Sequence, residues 1–335
     1  MPDIIAVTRD DIELRFPCAA TRFVLDAAED AGLYLPSVCR HGRCGTCWAT
    51  VLSGSYELAP FEAKAQPAAP GAVLLCRCRP REDMVVQLPC RDAQIGRHHV
   101  PERRATLVAV SDEGQGWAGL SLRLTREGEY GQEAAFVPGQ FIELLLPGTA
   151  QWQAMAMTNL PNDEGILEFL LRPAPDSALQ SWLAAARRGA ELHLRGPLGR
   201  FALDDRSPRP RCLVAADAGL APFLAMLRQL AAGRDRTRLH VIYEAPKAAR
   251  ALAEGRLTAL RAALPQLTFA VVADAPSALR TQLEKLPDVD LYACGPAPLL
   301  AAVVLAGGAH GVPETWIRTE NLPGLRDEAA ILTGP

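Results

Sequence analysis

The sequence predicts a multidomain chain that joins an α+β module, an antiparallel barrel and an α/β module. Three observations predict it. A cysteine-rich loop sits among short strands and one helix in the first 92 residues. A strand-rich stretch with Gly/Pro punctuation follows. The last third alternates short apolar strands with helices.

In residues 1–92, segments 4–8 and 12–16 read as a hairpin. Segment 21–32 reads as a helix: Thr21 stands at the N-cap position, Val24, Leu25 and Ala28 make one apolar face, and Gly32 ends it. Segments 48–52 and 84–88 alternate like strands. Strands, one helix and a metal loop in so short a span suggest a β-grasp-like module. Residues 93–101 are polar, contain His98 and His99, end at Pro101 and read as a linker. In residues 102–205, segments 105–110, 120–124, 141–146 and 167–171 are strand candidates, with a helix over 179–186; the spacing suggests a small antiparallel barrel. In residues 210–335, strands over 212–216, 239–243, 269–272 and 291–294 alternate with helices over 222–232, 252–263 and 298–307. That is the βαβ pattern of a doubly wound parallel sheet.

The chain has 335 residues, 49% hydrophobic and 22% charged, with a formal net charge of −3. This balance excludes disorder and offers no basic field for nucleic acid. The basic pairs Arg187-Arg188 and those within 206–211 read as solvated surface. The best apolar run, residues 299–306, is far short of the roughly 20 residues that span a bilayer. Met1-Pro2-Asp3 opens no signal-peptide pattern, so the cytoplasm is the expected compartment.

Three of the nine cysteines fall between positions 39 and 47, which calls for a metal reading before a disulfide one. Cys39-x4-Cys44-x2-Cys47 followed by Cys76 is the plant-type spacing for a [2Fe-2S] cluster. Two irons need four thiolates, and a tight loop supplies three. Gly42 and Gly45 let the loop wrap closely. Arg40 and Arg43 place positive charge beside a centre that gains an electron, which favours the reduced form. A four-cysteine zinc site lacks its second Cys-x2-Cys pair, and Cys39-x-His41 lacks the second half of a Rieske pair. Cys78 is an alternative fourth ligand; Cys76 is preferred because it follows the strand-like Val73-Leu74-Leu75. Cys18, Cys90 and Cys212 read as plain thiols.

Across nearly its whole length the sequence resembles the reductase components of bacterial oxygenases. These include the phenol, toluene and soluble methane monooxygenase reductases, and CDP-6-deoxy-glucoseen reductases share the layout. The resemblance is carried by residues 36–47, Pro138-Gly139-Gln140-Phe141, Gly196-Pro197-Leu198-Gly199-Arg200-Phe201, Gly219-Leu220-Ala221-Pro222, Cys294-Gly295-Pro296 and Gly311-Val312-Pro313-Glu314. It implies a ferredoxin domain, a flavin-binding barrel and an NAD-binding domain. It also implies electron transfer from NAD(P)H through FAD to the cluster, and from there to an oxygenase or hydroxylase partner.

By the same resemblance, Asn159, Arg172, Ser181, Gly196, Pro197 and Gly199 fall at flavin-side positions. Gly219, Gly295 and Pro296 fall at nucleotide-side positions, and Cys294 sits by the nicotinamide. The sequence departs from the family at several of its contacts. The flavin motif Arg-x-Tyr-Ser becomes Gln153-Ala154-Met155-Ala156, although Met155 can still pack on a flat ring. The Gly-Gly-Thr/Ser-Gly loop becomes Ala216-Asp217-Ala218-Gly219, which puts an acid where a diphosphate lies. Tyr-Gly-x-Arg becomes Tyr243-Glu244-Ala245-Pro246, and the aromatic that shields the flavin becomes Leu322. A charge-assisted contact is worth about 1.5–3 kcal/mol, so these departures weaken cofactor binding. The alternative expectation is a one-electron carrier or docking subunit whose flavin and nucleotide sites are lost.

Overall fold

The computed structural model describes residues 1–37, 40, 42, 45–61, 69–97, 100–128, 131–149, 151–286 and 288–321. The chain forms two compact units, Met1–Val100 and Pro101–Pro335.

The first unit is a β-grasp. Its elements are β1 (Asp3–Val7), β2 (Glu13–Pro17), α1 (Val24–Asp30), β3 (Trp48–Ser53), β4 (Tyr56–Leu58), β5 (Ala72–Leu74), β6 (Cys78–Pro80) and β7 (Met84–Gln87). The main sheet runs β2-β1-β7-β3-β5, with β1 and β7 parallel and the other pairs antiparallel. Alternation buries Ile4, Ala6, Leu14 and Phe16 on one face, where Val24, Leu25 and Ala28 of α1 cover them. The helix is shorter than the sequence predicts. Phe23, not Thr21, is its N-cap, and no side chain caps it. Gly32, at φ +76, ends it as expected, with Leu33 N–H returning to the Ala28 carbonyl at 2.8 Å. Within the segment read as a linker, Ile95 is buried in this core and Gly96 bridges to Tyr34, while Gln94 and Arg97 are exposed. His98 and His99 lie outside the described residues.

The second unit begins with a barrel of β8 (Glu102–Gly114), β9 (Trp117–Leu124), β10 (Phe141–Leu145), β11 (Trp152–Ala156), β12 (Ile166–Leu171) and β13 (Glu191–Leu198), with α2 (Ala178–Ala185) between the last two. The strand order is β11-β10-β13-β8-β9-β12. The ring closes where Met157 bridges Phe169 and Thr158 N–H donates to the Glu168 carbonyl at 2.8 Å. Leu120, Leu122, Leu144, Leu167, Phe169 and Leu194 fill its interior.

The sheet that follows holds β14 (Arg211–Ala216), β15 (Leu239–Glu244), β16 (Leu267–Val272), β17 (Asp290–Cys294) and β18 (Ile317–Glu320), all parallel, in the order β16-β15-β14-β17-β18. Its helices are α3 (Leu220–Ala232), α4 (Arg250–Arg261), α5 (Ala275–Leu283) and α6 (Ala297–Ala309). Every residue of β14 and β17 is buried, as strands covered on both faces require. The strand order reverses between β14 and β17. At that switch point a doubly wound sheet opens a crevice beyond its carboxyl ends. Among the described residues no helix is long and apolar enough to cross a membrane.

The barrel packs backbone to backbone against the chain that leads into the parallel sheet. Gly139 has φ +109, and a Cβ there would lie 1.9 Å from the Phe201 carbonyl oxygen. The guanidinium of Arg228, on α3, reaches across to the Thr158 carbonyl. Gly139→Ala is therefore expected to cost about 2 kcal/mol or more, through backbone strain and a clash with an unyielding atom. Thermal unfolding checks this; an unchanged midpoint would refute the contact.

Candidate functional site

The cluster loop is built on the β3–β5 pairing. Cys47 directly precedes β3, and Cys76 lies in the turn after β5. Leu75 N–H donates to the Cys47 carbonyl at 3.0 Å, so the segments carrying the two thiols run side by side. Both cysteines are buried. Gly42 and Gly45 are left-handed, at φ +76 and +74, and a Cβ on Gly42 would lie 2.6 Å from Phe61 Cβ. A loop wound this tightly suits a buried four-thiolate centre. Cys39, Cys44 and Arg43 lie outside the described residues, and among the described residues no three His, Cys, Asp or Glu converge on a metal-sized site.

Cys78, the alternative ligand, is on β6 opposite Leu58 and fully buried. Burial, with Cys18 nearby, pushes its thiol up to about 12. The structure corrects the expected role of Arg40. Its guanidinium is bound by Asp26 at 3.2 Å and by Glu29, both on α1. The positive charge is thus compensated beside the loop, and Arg40 pins the loop to the helix instead of adding a net field.

The second site lies where the barrel meets the switch point. Ala156, Phe141 and Leu198 form one row across β11, β10 and β13. Next to the row, Gly199 is left-handed at φ +84; a Cβ there would lie 2.9 Å from the Phe141 ring and 3.4 Å from Glu320 Oε2. Gln140 Nε2 donates to the Gly199 carbonyl at 3.0 Å and holds the turn. From the sheet side, Cys294 ends β17 and is paired in register with Glu320 of β18, while Gly295 N–H donates to the Glu320 carbonyl at 3.2 Å. Gly219 abuts the same strand end: a Cβ there would lie 2.0 Å from the Cys294 carbonyl oxygen. Pro296 caps α6.

Sequence reasoning passed over Glu320. Desolvation alone pushes its carboxyl up to about 7, although the residue as a whole is half-buried. It therefore holds or releases a proton near neutral pH beside the buried Cys294.

The remaining expected contacts are placed as follows. Asn159 uses its amide within the barrel: Nδ2 donates to the Leu160 and Ile166 carbonyls, and Oδ1 accepts from Glu168 N–H. Met155 pairs with Ile142 and is buried in the barrel core. Gln153 donates to the carbonyl of Ala154 on its own strand at 3.1 Å. Ser181 is exposed on α2. Arg172 is bound to Asp217, Nη1 to Oδ1, at 3.1 Å. Gly196 and Pro197 lie within β13, where a Cβ on Gly196 would press on Ile142. Leu322 lies outside the described residues.

The residues fit a flavin at the ring: the bare Gly199 position lies against a titratable carboxyl, Glu320, whose strand pairs with the end of β17 at Cys294. The phosphate end is poorer, because β11 brings no cation to it.

Residues 7–81 match the 2Fe-2S iron-sulfur cluster binding domain family, and residues 106–203 match the oxidoreductase FAD-binding domain family. The chain is 31% identical over 333 residues to the toluate 1,2-dioxygenase electron transfer component of Pseudomonas putida, covering 92% of this chain and 95% of that one. It is 36% identical over 202 residues to methane monooxygenase component C of Methylosinus trichosporium, covering 59% of each. Its fold is similar to that of a cytochrome P450 reductase from Amycolatopsis, with a TM-score of 0.73 at 24% identity over 96% of this chain and 99% of that one.

Two outcomes are expected. Cys47→Ser and Cys76→Ser should each abolish the visible absorption of a [2Fe-2S] centre, while Cys78→Ser keeps it. Glu320, neutral when folded between about pH 4.5 and 7 and ionised when unfolded, binds more protons in the native state. Stability contributed by Glu320 therefore falls as pH rises through that window, and Glu320→Gln should flatten the slope in a pH series of denaturant midpoints.

Proposed function

We propose a working electron path for this chain, which belongs to the family of electron-transfer components of multicomponent oxygenases. It is an oxidoreductase of the NAD(P)H-dependent flavin and iron-sulfur type, with a 2Fe-2S domain and an FAD-binding domain. We read it as three modules: residues 1–92 for the cluster, 102–205 for the flavin and 210–335 for the nucleotide, with 93–101 joining the first two. The electron acceptor is a redox protein, an oxygenase or hydroxylase component, in the cytoplasm.

Cys39, Cys44, Cys47 and Cys76 hold the cluster. Cys47 and Cys76 are buried, and Arg40 is tied to α1 through Asp26 and Glu29. A flavin supplies the conversion between a two-electron donor and a one-electron acceptor. The chain's own residues prepare that conversion. The Gly199 turn lets a flat ring approach the backbone. Cys294 closes the sheet side against water. Glu320 holds a proton at its carboxyl in the pH range where hydride chemistry generates and consumes one. Gly219, Gly295 and Pro296 shape the entrance for the nucleotide.

The observation that carries this reading is that the Gly199 turn of the barrel lies against Glu320, and Glu320 pairs with Cys294 of the sheet. The family's Arg is missing from β11, so flavin is expected to bind loosely and to be lost on desalting. The test is iron, sulfide and flavin per chain on anaerobically purified protein, with and without added FAD, followed by NADH or NADPH. Two irons, with cluster bleaching by nucleotide once FAD is supplied, is the expected result. Two irons with no response to nucleotide under any flavin condition would support the other reading, a one-electron carrier charged by a separate reductase. The substitutions at Gln153, Ala156 and Asp217 favour that reading. Cys294→Ala should slow nucleotide-driven bleaching at least tenfold and leave dithionite bleaching unchanged.

A further inference from the structure

The loop that joins β14 to α3 holds an acid where a dinucleotide's diphosphate needs donors. Asp217 is 3% exposed. Its carboxylate accepts from Arg172 Nη1 at 3.1 Å, and its backbone carbonyl accepts from the Tyr243 hydroxyl at 3.2 Å. Arg172 leaves the end of β12 on the barrel, so the ion pair spans from the barrel to the switch point of the sheet. Two residues beyond Asp217, Gly219 is already pressed against the Cys294 carbonyl, so the loop has no depth into which to retreat. Asp217 also adopts a left-handed backbone, φ +47, the conformation that glycine accepts without strain. An acid is thus kept at a position whose backbone suits glycine, and its carboxylate offers a guanidinium the same two-oxygen face that a phosphate would.

We propose that Asp217 is a built-in anion occupying the diphosphate position of the nucleotide crevice, and that a pyridine dinucleotide binds by displacing it from Arg172. Asp217 is then the residue that sets nucleotide affinity. The displaced carboxylate stays next to the incoming diphosphate, so the ligand meets both a lost ion pair and a like charge. The inference rests on reading this crevice as the nucleotide entrance.

The test is calorimetric binding of NAD⁺ to the oxidised full-length protein at fixed ionic strength. The variants are Asp217→Gly, Asp217→Asn, Arg172→Gln and the double variant Asp217→Gly/Arg172→Gln. Both Asp217 variants are expected to bind NAD⁺ at least tenfold more tightly than the parent. Asp217→Asn keeps the side chain's size, so its gain reports charge and not space. Arg172→Gln is expected to bind more weakly than the parent, and the double variant to lose the gain of Asp217→Gly. Unchanged affinity in both Asp217 variants, or a gain that survives removal of Arg172, overturns the proposal. If the Asp217 variants bind tighter but NADH bleaches the cluster in none of them, the proposal stands and the entry of hydride at this crevice fails. If NADH bleaches the parent and the Asp217 variants bind no tighter, hydride entry stands and the proposal fails.

Discussion

The C-terminal unit is organised by backbone contacts that leave no room for side chains. Gly139 lies against the Phe201 carbonyl, Gly199 against the Phe141 ring, and Gly219 against the Cys294 carbonyl. The first two fasten the barrel to the chain that leads into the sheet, and the third fastens the β14–α3 loop to the end of β17. Together they hold a six-stranded barrel and a parallel sheet so that the Gly199 turn of one faces Glu320 of the other. The Gly139 and Gly219 contacts are with backbone carbonyls and cannot be relieved by a rotamer change, so they hold these segments more firmly than side-chain packing could. The chemistry of the site follows from that placement. A thiol and a carboxyl with raised proton affinity sit on strand ends that are adjacent in register.

The first unit applies a different constraint, the burial of a charged centre in a small domain. Its loop is wound through left-handed glycines, and Arg40 of that loop is compensated by two carboxylates of α1. Arg77, which follows Cys76, lies against Gly42 of the same loop and donates to the Pro60 carbonyl, so a described cation beside the loop shares the cluster's electrical environment with burial and backbone amides. The compensation seen at Arg40 recurs at the nucleotide loop, where Arg172 is compensated by Asp217. In both places a cation that the sequence presents as available is engaged by an acid of the same chain.

Local features were legible in the sequence. The cysteine spacing, the alternation of β8 and β9, and the apolar runs of β14, β15 and β17 each depend on residues close together in the chain. Strand β11 was not legible, because Trp152–Ala156 has no clean alternation. Strand β13 carried a usable alternation, with buried Leu192 and Leu194 alternating with exposed Glu191 and His193. Helix α5 carried a usable start, since the Asp274 side chain accepts from Ser277 N–H at 3.0 Å and a proline follows in the first turn. The partners of Arg40 and Arg172 were beyond reach: Asp26 lies 14 residues away and Asp217 lies 45 residues away. Glu320 gains its role from the pairing of β18 with β17, which no local pattern announces.

The central claim is that one chain carries both a two-electron and a one-electron centre. A reductive titration of the FAD-supplemented protein with dithionite, followed by absorbance and corrected for the unbound FAD measured in its ultrafiltrate, counts the electrons each chain accepts. The account predicts about three, two at the flavin and one at the cluster. An end point at one electron per chain after that correction, with no flavin retained by the protein, would contradict it and leave a carrier with a single working centre.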